Sequence, residues 1–345
     1  MNVTVPYNCM LNRLYVNVIV CGSLCIFGIV GNFVSFFVLG RDKCSPVASL
    51  LLQSLAVVDA VFLILSVIHY SVRDILYVMS RDSEVQQKNL AWSIIRVYTY
   101  PILFIGQMAA MYITVLVAVS RFMAVCRPYS ANVWCSLTRM RAATFAVLIC
   151  SVLYNVPRFF EHKVYANASV ESTLTINTSY TLLYQNIFYN LFAFGLPLLI
   201  LIFLNTKLTI VYRKVVLRKR ASLQNRNSPA ASEDNITKIM IIVVLVFILC
   251  NLPSRLILIL THYDVGQPCS ISWWLAEFAT VLEIFNASVN FIIYCVFRSR
   301  FRAILGECLG CRARSLSPSR NSMALTDLKR GPNHPDTCET QLLRS

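Results

Sequence analysis

Seven mostly apolar stretches follow one another along the chain, separated by short segments that hold nearly all of its charge. They run Leu14 to Leu39, Pro46 to Tyr70, Val97 to Val125, Ala142 to Val156, Tyr184 to Val211, Ile236 to Thr261 and Ile271 to Val296. A helix needs roughly 20 such residues to cross the hydrocarbon core of a bilayer, and it satisfies every backbone N–H and C=O where no water is available. The fourth stretch is short and carries Asn155, with Pro157 just beyond it; it is kept because the loop charges described below require an odd number of crossings. The first is too long for the roughly 7–15-residue apolar core of a signal peptide, and no small-residue cleavage pattern follows it. The pattern therefore predicts an all-α membrane protein, a seven-transmembrane helix bundle over residues 14–297. Before it lies an extracellular N-terminus (1–13); after it come a short amphipathic eighth helix (298–311) and a polar, disordered cytoplasmic tail (312–345).

Composition agrees: only 14% of residues are charged and 57% are hydrophobic, against roughly 25% charged in an average soluble domain, and mean hydropathy is +0.62. The formal net charge of +15 raises the question of nucleic acid. Its placement answers it, because Lys and Arg crowd alternate loops: Arg41 and Lys43; Arg127, Arg139 and Arg141; Arg213, Lys214, Arg218, Lys219 and Arg220; Arg298, Arg300 and Arg302. By the positive-inside rule these loops are cytoplasmic and the N-terminus is outside, which suits a multi-pass protein of the plasma membrane; any excess over orientation serves cytoplasmic partner contact. No zinc-finger spacing or RNP-like aromatic run occurs, so nucleic acid is excluded as a partner. Glycosylation acceptors at Asn2, Asn167 and Asn177 all fall in segments this topology puts outside, whereas Asn235 and Asn286 match the same pattern where it stays bare.

Candidate chemistry lies inside the spans. Gly31-Asn32 is midway along the first, and Asp59 is midway along the second, where an ionisable group is costly and functional by default. Asn286 and Asn290, four apart on one face of the seventh span, are candidate partners, with Tyr294 one further turn along. Together Asp59, Asn32, Asn286 and Asn290 can hold a water network or a small cation such as sodium. At the cytoplasmic end of the third span, Ser120-Arg121-Phe122 is followed by Cys126-Arg127-Pro128-Tyr129. Arg121 either snorkels to the interface or has a specific role.

In order, Gly31-Asn32, Leu55-x-x-x-Asp59, Arg121, Pro197, Phe247-x-x-Cys250-x-x-Pro253 and Asn290-x-x-x-Tyr294 with Phe301 beyond resemble the rhodopsin-like receptor family over about residues 14–311. The strings Tyr154-Asn155-Val156-Pro157-Arg158-Phe159-Phe160-Glu161 and Phe285-Asn286-Ala287-Ser288-Val289-Asn290-Phe291 are similar, more narrowly, to the invertebrate FMRFamide receptors. The resemblance implies an extracellular peptide ligand, a heterotrimeric G protein inside, and a switch formed by Arg121, Glu233, Tyr129, Tyr294, Pro253 and Phe247. It also implies kinases and arrestin at the tail, where Ser315, Ser317, Ser319 and Ser322 lie among Pro and Arg. Membrane lipid surrounds all of it.

The sequence departs from the family pattern. Ser120 stands where an acid is usual, Asn251 where Trp precedes the proline, Asn205 for the Tyr of span five and Phe291 for the Pro of N-P-x-x-Y, and the span-four Trp is missing. The usual bridge from the third span to the second outer loop has lost both halves: Arg96 occupies one position, and no cysteine occurs between Cys150 and Cys250. Of thirteen cysteines only Cys9 and Cys269 are read as extracellular, and they are either bridged to one another or free. Cys308 and Cys311, after the eighth helix, are palmitoylation candidates or plain cytosolic thiols.

Enzyme chemistry is excluded on the same residues. The four histidines, His69, His162, His262 and His334, are scattered, and neither H-E-x-x-H nor G-x-S-x-G occurs, so no catalytic residue, metal site or organic cofactor is expected. An ion-conducting or transporting protein is the alternative from another class, through Asp59, Arg255 and Glu283. Seven spans do not divide into equal inverted repeats, which counts against it. Leu103 replaces the aspartate of amine receptors and Ile284 the lysine of opsins, leaving a peptide, or a lipid or other small ligand. Candidate ligand contacts are Glu283, Arg255, Glu277, Asp74, Gln107, Tyr70 and Trp273. A buried carboxylate can take a ligand guanidinium bidentately; equally, Glu283 and Arg255 can neutralise one another.

Overall fold

The computed structural model describes residues 7–72, 74–75, 90–165, 170–221, 230–261 and 269–310. Among these, six helices are long and apolar enough to cross a membrane: Leu11–Gly40, Pro46–Val72, Ser93–Cys126, Leu137–Phe160, Tyr180–Val211 and Ile271–Phe297. The helix Ala230–Thr261 lies before the last of them and holds the sixth apolar stretch. Its opening turns read Ala-Ala-Ser-Glu-Asp-Asn, and the apolar sequence follows from Ile236. With it the bundle has the expected seven helices. The spans form a closed ring: the first packs on the second and seventh, the sixth packs most extensively on the seventh, and the third runs through the middle against the second, fourth, fifth and sixth.

The interior combines apolar clusters with buried polar side chains, while the outer surface is apolar, as lipid contact requires. Asn32, Asp59, Ser254 and Asn290 are buried, while Phe33, Leu199 and Leu249 are exposed on the outer surface. The fourth span shows why its hydropathy is weak. Its buried residues include Thr144, Ser151 and Asn155, each donating a side-chain hydrogen bond of 2.8 Å to the carbonyl four residues back. This return to the helix's own backbone satisfies a polar group within the span and gives a close-packing inner face. Gly31 has a similar packing reason: a Cβ there would meet Phe291 at 2.7 Å, so the first and seventh spans can approach only because residue 31 has no side chain.

Several boundaries differ from those the hydropathy pattern predicts. The first helix begins at Tyr7, runs through a π-helical turn at Tyr15–Val20 and continues as Cys21–Gly40, so Arg13 is helical and not part of a loose leader. A disulfide from Cys9 to Cys269 fixes this extension to the start of the seventh span. The third helix starts at Leu90, and the fifth starts at Tyr180 in a π-helical run to Gly195 just before Pro197. The second outer loop adds a short hairpin to the helical bundle, His162–Val164 against Val170–Ser172 with Lys163 opposite Glu171. The eighth helix is Ser299–Cys308, pinned by Phe301, whose buried ring lies 5.7 Å from that of Tyr294. Buried Asp42 holds its other side, pairing with Arg298 at 2.6 Å and Arg300 at 3.1 Å. The disordered-tail expectation for 312–345, with its serines, lies outside the described residues.

Candidate ligand site

One buried charged group joins three spans. Arg255 of the sixth lies 3.1 Å from Glu283 of the seventh, with side chains only 8% and 10% exposed. Ser254 donates to Glu283 at 2.9 Å. Gln107 of the third span completes the set, its amide nitrogen donating to the carboxylate and its amide oxygen accepting from the guanidinium. Such satisfaction is what a buried ion pair requires, since desolvation otherwise outweighs the Coulombic gain. The guanidinium also lies over the Tyr189 ring at 5.6 Å.

Below this group is a cavity whose lining runs from Gln107, Arg255 and Glu283 past Asn251 to Asp59 and Asn286. Asn251 returns its side chain to the Phe247 carbonyl at 2.9 Å. An asparagine there, in place of the family's tryptophan, occupies less volume, and the space reaches the Asp59 level. The four polar-network residues are only partly joined: Asn290 donates to Asp59 at 2.8 Å, Asn286 shares the cavity wall, and Asn32 bonds instead to the Ala287 carbonyl at 2.9 Å.

A second charged group lies apart from that cavity, at the outer ends of the first, second and seventh spans. Arg13 is 3.1 Å from Asp74 and 3.3 Å from Glu277, and its guanidinium lies 5.1 Å from the Trp273 ring centre. Asn17 donates to Asp74 at 2.7 Å. Thus the seven candidate ligand residues, read as one mouth, divide. Gln107, Arg255 and Glu283 line the inner cavity; Asp74, Glu277 and Trp273 gather around Arg13; Tyr70 packs against the cluster of Cys21, Phe62 and Ile284 between them.

The outer loop has its own anchor. Arg158 and Glu161, 3% and 1% exposed, lie 3.7 Å apart; Arg158 sits 3.9 Å from the Phe104 ring centre and 4.6 Å from that of Tyr189. Tyr180 donates to Glu161 at 2.9 Å. Because Tyr189 lies beneath both Arg158 and Arg255, the loop anchor and the inner group share one aromatic ring.

At the cytoplasmic end, Ser120 donates to the Val117 carbonyl of its own helix at 2.8 Å, so it serves the helix and offers no carboxylate to Arg121. Tyr129, grouped with Arg121 in the coupling set, is 92% exposed. The side chain of Glu233 lies outside the described residues, as do Asn2, Asn167 and Cys311. Phe247 and Tyr294 are buried as expected, while Pro253, within the sixth helix, is exposed. Asn177 is exposed, and Cys308 is exposed with a free thiol. No cluster of three or more His, Cys, Asp or Glu suited to a metal occurs among the described residues. Sequence reasoning missed Arg13, Asn17, Ser254 and Asp42. The first two had a readable signal, polar residues four apart at the start of the first apolar run; the partners of the others are remote in sequence.

A model of the seven-transmembrane receptors of the rhodopsin family matches residues 31–294. The chain is 28% identical over 316 residues to a Drosophila melanogaster FMRFamide receptor, covering 86% of this chain and 55% of the relative. It is 27% identical over 319 residues to the Caenorhabditis elegans FMRFamide peptide receptor frpr-18, covering 87% and 71%. A Mus musculus thyrotropin-releasing hormone receptor is 24% identical over 348 residues, 89% and 81% of the two chains. The chain thus spans little more than half the length of the fly relative. All are receptors and none an enzyme.

Proposed function

We infer the function from one premise: the chain belongs to the rhodopsin family of seven-transmembrane receptors. It is a plasma-membrane receptor, N-terminus outside, for an FMRFamide-like neuropeptide ending in Arg-Phe-amide, and it signals through heterotrimeric G proteins at the cytoplasmic face around Arg121. The observation that carries the ligand class is the outer group, where two carboxylates and an indole ring enclose a guanidinium. A lipid tail or a retinal has no use for that chemistry; an arginine beside an aromatic residue matches both parts of it. The names of the fly and worm relatives support the same ligand class.

Two further features belong to this reading. Asp59 and the buried, unpartnered amide oxygen of Asn32 are oxygen donors of the kind a sodium ion takes, whereas Ala110, on the same cavity wall, offers none. Kinases and arrestin act on the serine-rich tail. The test is a cell expressing the chain, scored by calcium and cyclic AMP. An amidated Arg-Phe peptide gives a saturable response and its free acid a far weaker one. Silence toward amidated peptides, with a response to a lipid, sinks the peptide reading.

A further inference from the structure

Resting on the peptide reading above, we propose that Asp74, Glu277 and Trp273 form a guanidinium subsite plugged by Arg13 of the same chain, and that a ligand's arginine enters by exchanging with Arg13. The subsite already demonstrates its preference, since a guanidinium lies within 3.3 Å of both carboxylates and over the indole face. The fit is imperfect. The Arg13 Nε is buried without an aligned hydrogen-bond acceptor, although Asp74 is close. Next to it Asn17, 0% exposed, spends its amide N–H on Asp74 while its amide oxygen has no partner. The site thus holds an unused buried acceptor and its plug an unused donor.

A guanidinium carries five N–H donors in a planar fork, and one that is free of the helix can turn that fork to face two carboxylates and the amide oxygen together. Arg13 cannot, because its backbone belongs to the helix Tyr7–Leu14, which Cys9 fixes to Cys269. The same tether keeps Arg13 at high effective concentration, so it fills the subsite despite poor alignment. Accessibility favours exchange: the Arg13 side chain is 27% exposed, while those of Asp74 and Glu277 are 7% and 11% exposed. The plug therefore faces outward and the carboxylates behind it stay sheltered. Its function is to set a threshold, since only a ligand that offers a better-aligned guanidinium displaces it.

The experiment uses the full chain in lipid nanodiscs, with N-acetyl-arginine amide as the probe and N-acetyl-citrulline amide as its uncharged counterpart. In Arg13→Ala, millimolar arginine amide raises the melting temperature by several degrees, citrulline amide does not, and wild type responds to neither. Adding Asp74→Asn to Arg13→Ala abolishes the shift. Arg13→Gln, which keeps a polar side chain at the position, serves if Arg13→Ala folds poorly. Equal shifts in wild type and variant, or none in either Arg13 variant, overturn the proposal. In cells, Arg13→Gln raises the potency of an amidated Arg-Phe peptide by about tenfold, the advantage lost with the tethered competitor, and leaves its citrulline analogue unchanged. A melting shift without any peptide response supports the subsite and overturns the peptide reading alone.

Discussion

Glu283→Gln is the most informative single change, because it removes one charge while preserving shape. Glu283 accepts from Ser254, Gln107 and Arg255, and its side chain is only 10% exposed. After the substitution Ser254 and Gln107 keep a polar neighbour, but the Arg255 guanidinium, 8% exposed, loses its anion. Breaking a buried pair from one side costs about 3–5 kcal/mol, a large part of a total stability of about 5–15 kcal/mol. Arg255→Gln strands the carboxylate and costs a comparable amount. The double variant strands neither charge and places three amides in one polar group. A double-mutant cycle on purified receptor, read by thermal or denaturant unfolding, should return a coupling energy of about 2 kcal/mol or more, well above the roughly 0.3–0.5 kcal/mol by which independent sites fail to add. Surface expression should fall in each single variant and recover in the double. An Arg-containing agonist and its citrulline analogue should lose potency alike in Glu283→Gln. Additive single effects, or a loss confined to the arginine peptide, would refute the structural pairing and move the ligand's guanidinium to the inner site.

Arg121→Ala should abolish G-protein activation while surface agonist binding persists, and Glu233→Ala should raise basal signalling if the two restrain the closed state; unaltered signalling in Arg121→Ala would remove that position from the switch. Sodium should weaken agonist binding in wild type but not in Asp59→Asn, and equal sensitivity in both excludes an ion at Asp59. Cys9→Ser and Cys269→Ser should each cost about 2–5 kcal/mol, the usual range for a native disulfide, with the double variant no worse than either; a harmless Cys9→Ser would show that the tether contributes nothing. Asn177→Gln should lose a glycan visible by gel mobility, and a C-terminal tag should stain only permeabilised cells; staining of intact cells contradicts the topology.

What was legible in the sequence was the part that repeats or is costly. Apolar length gave the spans because lipid admits few alternatives, and Asp59 stood out because an isolated carboxylate in a span demands a partner, which Asn290 supplies at 2.8 Å. Positions in known motifs, such as Tyr294 and Phe301, were legible through resemblance and do pack together. Less legible was which charges meet. Glu283, Glu277 and Asp74 look alike in a string, yet Glu283 faces Arg255 while the other two face Arg13. Helix rotation decides that, and rotation in a bundle is set by packing on neighbours. The first helix was misjudged at its start for a related reason: polar Asn12 and Arg13 end the apolar run, and the contacts that extend the helix come from elsewhere in the chain.

The departures from the family pattern also account for one another. Loss of the bridge from the third span to the outer loop removes a tie of about 2–5 kcal/mol, and the structure has other ties at the same end. Arg158, at the outer end of the fourth span, sits beside Glu161 and over Phe104, a residue of the third span, so it links the start of the loop to the helix that the missing cysteine would have held. A desolvated cation–π contact contributes about 2 kcal/mol or more, and the Tyr180 hydrogen bond to Glu161 adds a charge-assisted link of about 1.5–3 kcal/mol. The noncovalent clamp thus falls in the range of the bond it stands in for. The two ties act on different elements, however. The clamp holds the second outer loop over the third and fifth spans, and the disulfide Cys9 to Cys269 holds the N-terminal helix to the seventh. Between them lie the inner cavity and the outer charged group, so the two sides of the candidate ligand site are fixed separately, and no disulfide among the described residues joins one side to the other.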